Sequence, residues 1–244
     1  MPMDAKLMKG TIRKSFELAY YLYLPQGFDQ EGTSTWPVVI FLHGAGERGS
    51  DLELLKRQGL VKQIAEGQEF PFVLVAPQCP LDWTWDRSLD ELDALLIELL
   101  DTLPIDRERI YLTGLSMGGF GTWHWATHQP QTFAALVPIC GGTMPLLGFP
   151  EKIVKLREVP IWVFHGQDDQ VVPLKLSAEL VEVLVEAGSK VRFTQYEGVG
   201  HNSWSLAYHE PELIPWLLRQ RNPLFNFEQR GDQCGTENSS DCVE

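Results

Sequence analysis

The sequence predicts an α/β protein: a mostly parallel central sheet of about eight strands, flanked by helices on both faces and with no lid domain. Three observations carry that expectation. Apolar runs of strand length alternate with helix-period stretches from about residue 36 onward, which is the alternation that parallel strands joined by crossover helices require. The runs are nearly continuous in Val, Ile, Leu and Phe, as strands covered on both faces are. The chain has 244 residues, 44% hydrophobic and 22% charged, enough for one sizeable core and too rich in aliphatic side chains for a disordered chain.

The first element, Phe16 to Leu24, alternates polar and apolar residues and is expected as an antiparallel strand at the sheet edge. The parallel strands follow as WPVVIFLHG (Trp36 to Gly44), FPFVLVAP (Phe70 to Pro77), RIYLTG (Arg109 to Gly114), FAALVPICGG (Phe133 to Gly142) and PIWVFHG (Pro160 to Gly166). The more amphipathic VRFTQYEG (Val191 to Gly198) comes last. Ser88 to Leu103 is the clearest helix: Leu92, Leu95, Leu96, Leu99, Leu100 and Leu103 recur at three and four residues, and Pro104 stops it. Helices are also expected over Leu52 to Glu66, Met117 to His128, Leu174 to Ala187 and Glu210 to Arg221. Residues 1–221 are thus expected to form one domain, and the polar, acidic stretch 222–244 a loosely ordered tail.

With 20 Lys and Arg against 33 Asp and Glu the net charge is −13, and the isoelectric point near 4.9 lacks the basic footprint that draws a surface to nucleic acid. No apolar run approaches the ~18 residues of a membrane span, and the first residues have no apolar signal core. Cys79 and Cys140 lie in apolar contexts, Cys234 and Cys242 in the polar tail, and no pair has zinc-ligand spacing. A cytoplasmic protein without metal or cofactor is expected, with no nucleic-acid partner and the oligomeric state open.

The chemistry concentrates in YLTGLSMGGFGTW. There Gly114-Leu115-Ser116-Met117-Gly118 fills G-x-S-x-G between an expected strand and an expected helix. A serine on so tight a turn is pushed clear of the sheet edge with a helix N-terminus beneath it. Serine at its ordinary acidity is a weak nucleophile, so the reading demands a base and a group to orient that base. Asp168 and Asp169 lie in the loop after one buried strand, and His201 in the loop after the last. The chain order serine, aspartate, histidine is the one such a sheet imposes.

Together FLHGAGERG (Phe41 to Gly49), GLSMGGFGTW (Gly114 to Trp123), HGQDDQVVP (His165 to Pro173) and GVGHNSW (Gly198 to Trp204) resemble the α/β-hydrolase superfamily over roughly residues 16–221. The resemblance is to its lid-free carboxylesterase, phospholipase-like and dienelactone-hydrolase-like branch, with HGAGERG most like proteins grouped as peptidases or feruloyl-type esterases. It implies that Asp169, rather than Asp168, is the acid of a Ser116, Asp169, His201 triad. It also implies that the N–H groups of Ala45 and Met117 form an oxyanion hole. On this reading the chain is a serine carboxylic-ester hydrolase acting through an acyl-enzyme on short to medium acyl esters. The alternatives are a serine peptidase or aminopeptidase-like amide hydrolase and a non-catalytic hydrolase-fold binding protein.

Several residues invite a plainer reading. His43 and His165, each before a glycine at a strand end, are expected to shape their loops through backbone hydrogen bonds, and His124, His128 and His209 to lie on the surface. Trp83, Trp85 and Trp204 sit near strand-end loops and are candidates to line a substrate pocket. Glu47 and Arg48 are expected as a surface ion pair, unless Arg48 reads a substrate carboxylate or carbonyl. Thr143 to Val159 is too short for a lipase-type cap, so an open cleft is expected.

Overall fold

The computed structural model describes Met8 and residues 14–143 and 147–222. Seven strands form one sheet among these residues, against the expectation of about eight. They are β1 (Tyr20–Tyr23), β2 (Trp36–Leu42), β3 (Val73–Pro77), β4 (Ile105–Leu115), β5 (Ala135–Ile139), β6 (Trp162–Gly166) and β7 (Arg192–Tyr196), in the spatial order β1-β3-β2-β4-β5-β6-β7. The edge strand β1 runs antiparallel to β3, and all other neighbours are parallel.

Side chains alternate along each strand, so the two sheet faces collect different residues. Val38, Ile40 and Leu42 of β2 join Val73 and Val75 of β3 in one apolar layer, while Val39 and Phe41 join Leu74 and Ala76 in the other. The first layer is covered by α2 (Leu89–Thr102), α3 (Met117–His128) and α4 (Lys175–Glu186); the second by α1 (Gly59–Ala65), α5 (Trp204–Ala207) and α6 (Leu213–Leu218). Coverage on both sides is why the central strands read as unbroken apolar runs.

The expected helix over Leu52 to Glu66 is two pieces, a 3-10 helix Leu52–Arg57 and α1, because Gln58 between them is extended and Gly59 has φ +61°. The helix expected over Glu210 to Arg221 shortens to α6. In α2 the spaced leucines face the core: Leu92, Leu95, Leu96 and Leu99 are buried while Ile97 is 60% exposed. α3 is buried on nearly every side, and both Trp123 and Trp125 are fully buried. Trp125 faces α2, where its Nε1 donates to Asp93 Oδ1 at 2.7 Å. His124 corrects its expected surface position: it is buried, its ring edge-on to Phe149 at 4.9 Å.

Asn222, assigned from sequence to the tail, packs onto the domain. It is buried, its N–H donates to Glu108 O at 2.9 Å and its Nδ2 to Gln131 O at 2.7 Å. Residues 223–244, with Cys234 and Cys242, lie outside the described residues. Among the described residues no helix is long and apolar enough to cross a membrane.

The contrast within α2 is measurable. Leu99→Ala is expected to lower unfolding free energy in urea by about 2–5 kcal/mol, and Ile97→Ala by no more than about 0.5 kcal/mol. Equal losses would contradict the assignment of faces.

Candidate active site

The C-terminal ends of the parallel strands point the same way, and the loops leaving them converge over the middle of the sheet. β4 enters α3 through Ser116, which has φ +53° and ψ −116°. A non-glycine residue holds such a backbone only under strong surrounding constraint. The constraint is visible in its neighbours. A Cβ on Gly118 would fall 1.9 Å from Leu42 O, and one on Gly114 would fall 2.3 Å from Gly118 O. The start of α3 is thus pressed against the end of β2 at a distance that only glycine permits. Ser116 N–H donates to Ile139 O at 2.9 Å, which ties the turn to β5 as well.

From β6 comes Asp169, 5% exposed, and from the loop after β7 comes His201. His201 Nδ1 donates to Asp169 Oδ2 at 2.7 Å, and His201 Nε2 accepts from the Ser116 hydroxyl at 2.9 Å. The second carboxylate oxygen, Oδ1, accepts the N–H groups of Val171 and Val172, each at 2.9 Å. Burial alone would raise the Asp169 carboxyl; the His201 hydrogen bond and the N–H groups of Val172 and Val171 outweigh it and hold the group below the ordinary carboxylate range. Asp168, its neighbour, is exposed to solvent.

Ala45 opens a 3-10 turn, Ala45–Glu47, directly after β2, and Met117 is the first residue of α3. Their N–H groups are among those that a helical turn leaves without an internal acceptor. The Ala45 loop is braced from below. His43 is buried; its Nδ1 donates to Gly44 O at 2.6 Å and its Nε2 accepts Cys79 N–H at 2.9 Å. Gln78 Nε2 donates to Glu47 O at 2.9 Å and Asp51 O at 2.8 Å, and Trp85 Nε1 to His43 O at 2.9 Å. On the β6 side His165, fully buried, reaches Ser177 Oγ and Val172 O, each at 2.8 Å. Both histidines shape loops, as their positions suggested.

Other expectations are corrected. Trp85 is 1% exposed and cannot line an open cleft; its indole is part of the brace. Arg48 does not pair with Glu47. Its Nε donates to Ala45 O at 3.0 Å and its Nη1 to Trp83 O at 3.4 Å, while Glu47 is buried, with burial pushing its carboxyl up. Trp204, half-buried, does sit at the site, edge-on to the His201 ring at 5.3 Å and held by Nε1 donating to Gln58 Oε1 at 2.9 Å. Gln78 was not singled out in the sequence, although a glutamine directly after an apolar strand end was a visible signal.

Residues 76–208 match the phospholipase/carboxylesterase family. The chain belongs to it. Acyl-protein thioesterase 1 of Neurospora crassa is 28% identical over 218 residues, covering 76% of this chain and 86% of that protein. An endo-1,4-beta-xylanase/feruloyl esterase of Xylanibacter ruminicola is 29% identical over 197 residues, 74% of this chain but 26% of that protein. Among solved structures, a thermostable esterase superposes with a TM-score of 0.72 at 38% identity, covering 84% of this chain and 59% of that one. The α/β-hydrolase resemblance and the expectation of an ester hydrolase both stand.

Two predictions follow from the brace. Arg48→Ala is expected to lower kcat by about tenfold or more, through a misplaced Ala45 loop, with equal effect on acidic and neutral esters. A selective rise in KM for acidic esters would instead assign Arg48 to the substrate. The second concerns pH. Burial lowers His43 from its ordinary value of 6.5 to about 4, and also lowers His165 and His124. A folded-state value below the unfolded one means that the unfolded chain takes the proton first as pH falls. His43 alone then removes on the order of 3 kcal/mol of stability between its unfolded and folded values. Urea unfolding from about pH 7 to about pH 4.5 measures this, and a stability that is flat or rises on acidification contradicts it.

Proposed function

We propose that the protein is a serine carboxylic-ester hydrolase in which Ser116, His201 and Asp169 form the catalytic relay. The observation that carries the reading is the continuous hydrogen-bonded path from the Ser116 hydroxyl through His201 to Asp169, at 2.9 and 2.7 Å. With Nδ1 committed to Asp169 as donor, Nε2 is the lone-pair nitrogen that faces the nucleophile.

Ser116 Oγ attacks the ester carbonyl as its proton passes to His201 Nε2. The imidazolium so formed is stabilised by the Asp169 carboxylate. The N–H groups of Ala45 and Met117 receive the negative charge that develops on the carbonyl oxygen, where the positive end of the α3 dipole adds to them. Collapse expels the alcohol, which takes the proton from Nε2 and leaves an acyl group on Ser116. Water then attacks the acyl carbon, His201 again accepting the proton, and as the acid leaves Nε2 returns that proton to Ser116 Oγ. The residues themselves supply every proton transfer in this sequence.

The strand-end loops also bear on the substrate. Leu81, Val171 and Leu206 are 65%, 69% and 47% exposed on the loops after β3 and β6 and in α5. Between β5 and β6 the described residues contribute one short 3-10 helix, Glu151–Leu156. An open cleft with apolar residues on its surrounding loops favours short to medium acyl esters. The ester reading is preferred to amide cleavage because the family and the thermostable esterase at 38% identity are ester-directed by description. A cytoplasmic setting fits the two buried free thiols, Cys79 and Cys140, and residues 1–221 are read as one hydrolase domain.

The test is hydrolysis of p-nitrophenyl esters from acetate to palmitate, with a peptide p-nitroanilide beside them. Wild type is expected to turn over the shorter esters, and Ser116→Ala to stay folded with kcat lower by about four orders of magnitude or more. Undiminished turnover in Ser116→Ala removes the serine from its role, and a preference for the anilide turns the reading to a peptidase.

A further inference from the structure

Beside the relay lies a thiol that ester hydrolysis does not use. Cys140 follows β5 directly, is fully buried and has φ +39°, a backbone that non-glycine residues rarely adopt. Its N–H donates to Phe164 O at 2.8 Å, which fixes it between β5 and β6. The Cys140 sulfur and one ligand atom each from Asp169 and His201 all lie within 4.8 Å of one another. These three side chains lie in the segments that follow β5, β6 and β7, so the order of neighbouring strands brings them together.

A thiolate, an imidazole nitrogen and a carboxylate oxygen are the donor types of zinc sites, where neighbouring donors stand about 3.5 Å apart around a tetrahedral ion. To take that size the Asp169–His201 pair, at 2.7 Å, opens around the ion while the sulfur, within 4.8 Å of both, moves in. We infer that Cys140, Asp169 and His201 form an inhibitory site for a thiophilic divalent cation of the zinc or cadmium type, occupied at the expense of catalysis. The inference rests on the relay proposed above as the catalytic centre.

The chemistry balances within the site. The cation displaces the proton of Cys140 Sγ, which leaves to solvent, and binds the resulting thiolate, one Asp169 oxygen and His201 Nδ1. The single proton of the neutral imidazole passes from Nδ1 to Nε2. Two positive charges then meet one thiolate and one carboxylate, so the buried assembly is neutral, which removes the main penalty against burying an ion. Nε2 now carries a proton and faces Ser116 Oγ as a donor, and the nucleophile has no base. The sulfur ligand selects cations with strong affinity for thiolate. Magnesium and calcium, which prefer oxygen ligands, are not among them.

The experiment uses the full chain with Cys234→Ser and Cys242→Ser, so that no tail thiol competes. Zinc chloride is expected to inhibit p-nitrophenyl butyrate hydrolysis, a chelator to restore it, and magnesium to have no effect. Cys140→Ala should retain turnover without zinc and require at least about tenfold more zinc for half inhibition. Cys140→Ser repeats the measurement should alanine destabilise the turn. In parallel, cobalt(II) is added to the same protein carrying Ser116→Ala. A thiolate-to-cobalt charge-transfer absorption is expected there and is expected to vanish when Cys140 is also replaced. This readout needs no turnover, so a failure of the serine reading, seen as activity surviving Ser116→Ala, is separable from a failure of the cation site. Zinc sensitivity unchanged by both Cys140 substitutions, or no cobalt absorption that depends on Cys140, overturns the inference.

Discussion

The close approach of α3 to the end of β2 is the constraint on which the site depends. With the Gly118 backbone against Leu42 O, the chain leaving β4 must reverse within a single residue, and Ser116 takes up the reversal at φ +53°. Three consequences follow from that contact. The serine side chain is turned out of the sheet, Met117 becomes the first residue of a helix, where an N–H has no acceptor within the helix, and the loop after β2 is brought alongside. Nucleophile and both proposed oxyanion donors are therefore set by one packing contact between α3 and the end of β2, rather than by three separate adjustments.

Around this contact the structure uses histidine in two ways. His43 and His165 are buried; their ring nitrogens meet backbone groups and Ser177, with His165 Nε2 also 3.2 Å from Asp169 Oδ2, and they hold the loops after β2 and β6 in place. His201 is half-buried and bonded on one side to an ionised carboxylate, which leaves its other nitrogen facing the serine. The difference is one of burial and partner. Burial drives the His43 and His165 rings away from the charged form, in His165 even with Asp169 Oδ2 3.2 Å from its Nε2. Arg48, Gln78 and Trp85 extend the structural role to the Ala45 loop by binding its carbonyls and those beside it.

Much of this was legible in the sequence. Unbroken apolar runs marked the central strands because both faces of the sheet are covered, and the leucine spacing marked α2 because only one face of that helix meets the core. Ser116 stood out because a strand-to-helix turn with glycines on both sides has few other uses, whereas Asp169 was separated from Asp168 only by the resemblance. What escaped was long-range. His124 is buried because Phe149, far along the chain, closes over it, and nothing in its own helix announces that. Trp85 and Arg48 looked like residues available to substrate because their neighbours are polar and small. Their partners, His43 O and Ala45 O, are fixed only when the loops after β2 and β3 come together. The break at Gln58 depends on one residue's backbone, below the resolution of a periodicity argument.

The central claim is that Ser116 is a nucleophile activated by its neighbours, and covalent trapping tests it most directly. After reaction with a fluorophosphonate, intact-mass and peptide mapping are expected to find one adduct per chain, on the peptide containing Ser116, and none on Ser116→Ala. An unmodified wild-type chain, or an adduct carried on another residue, would contradict the account.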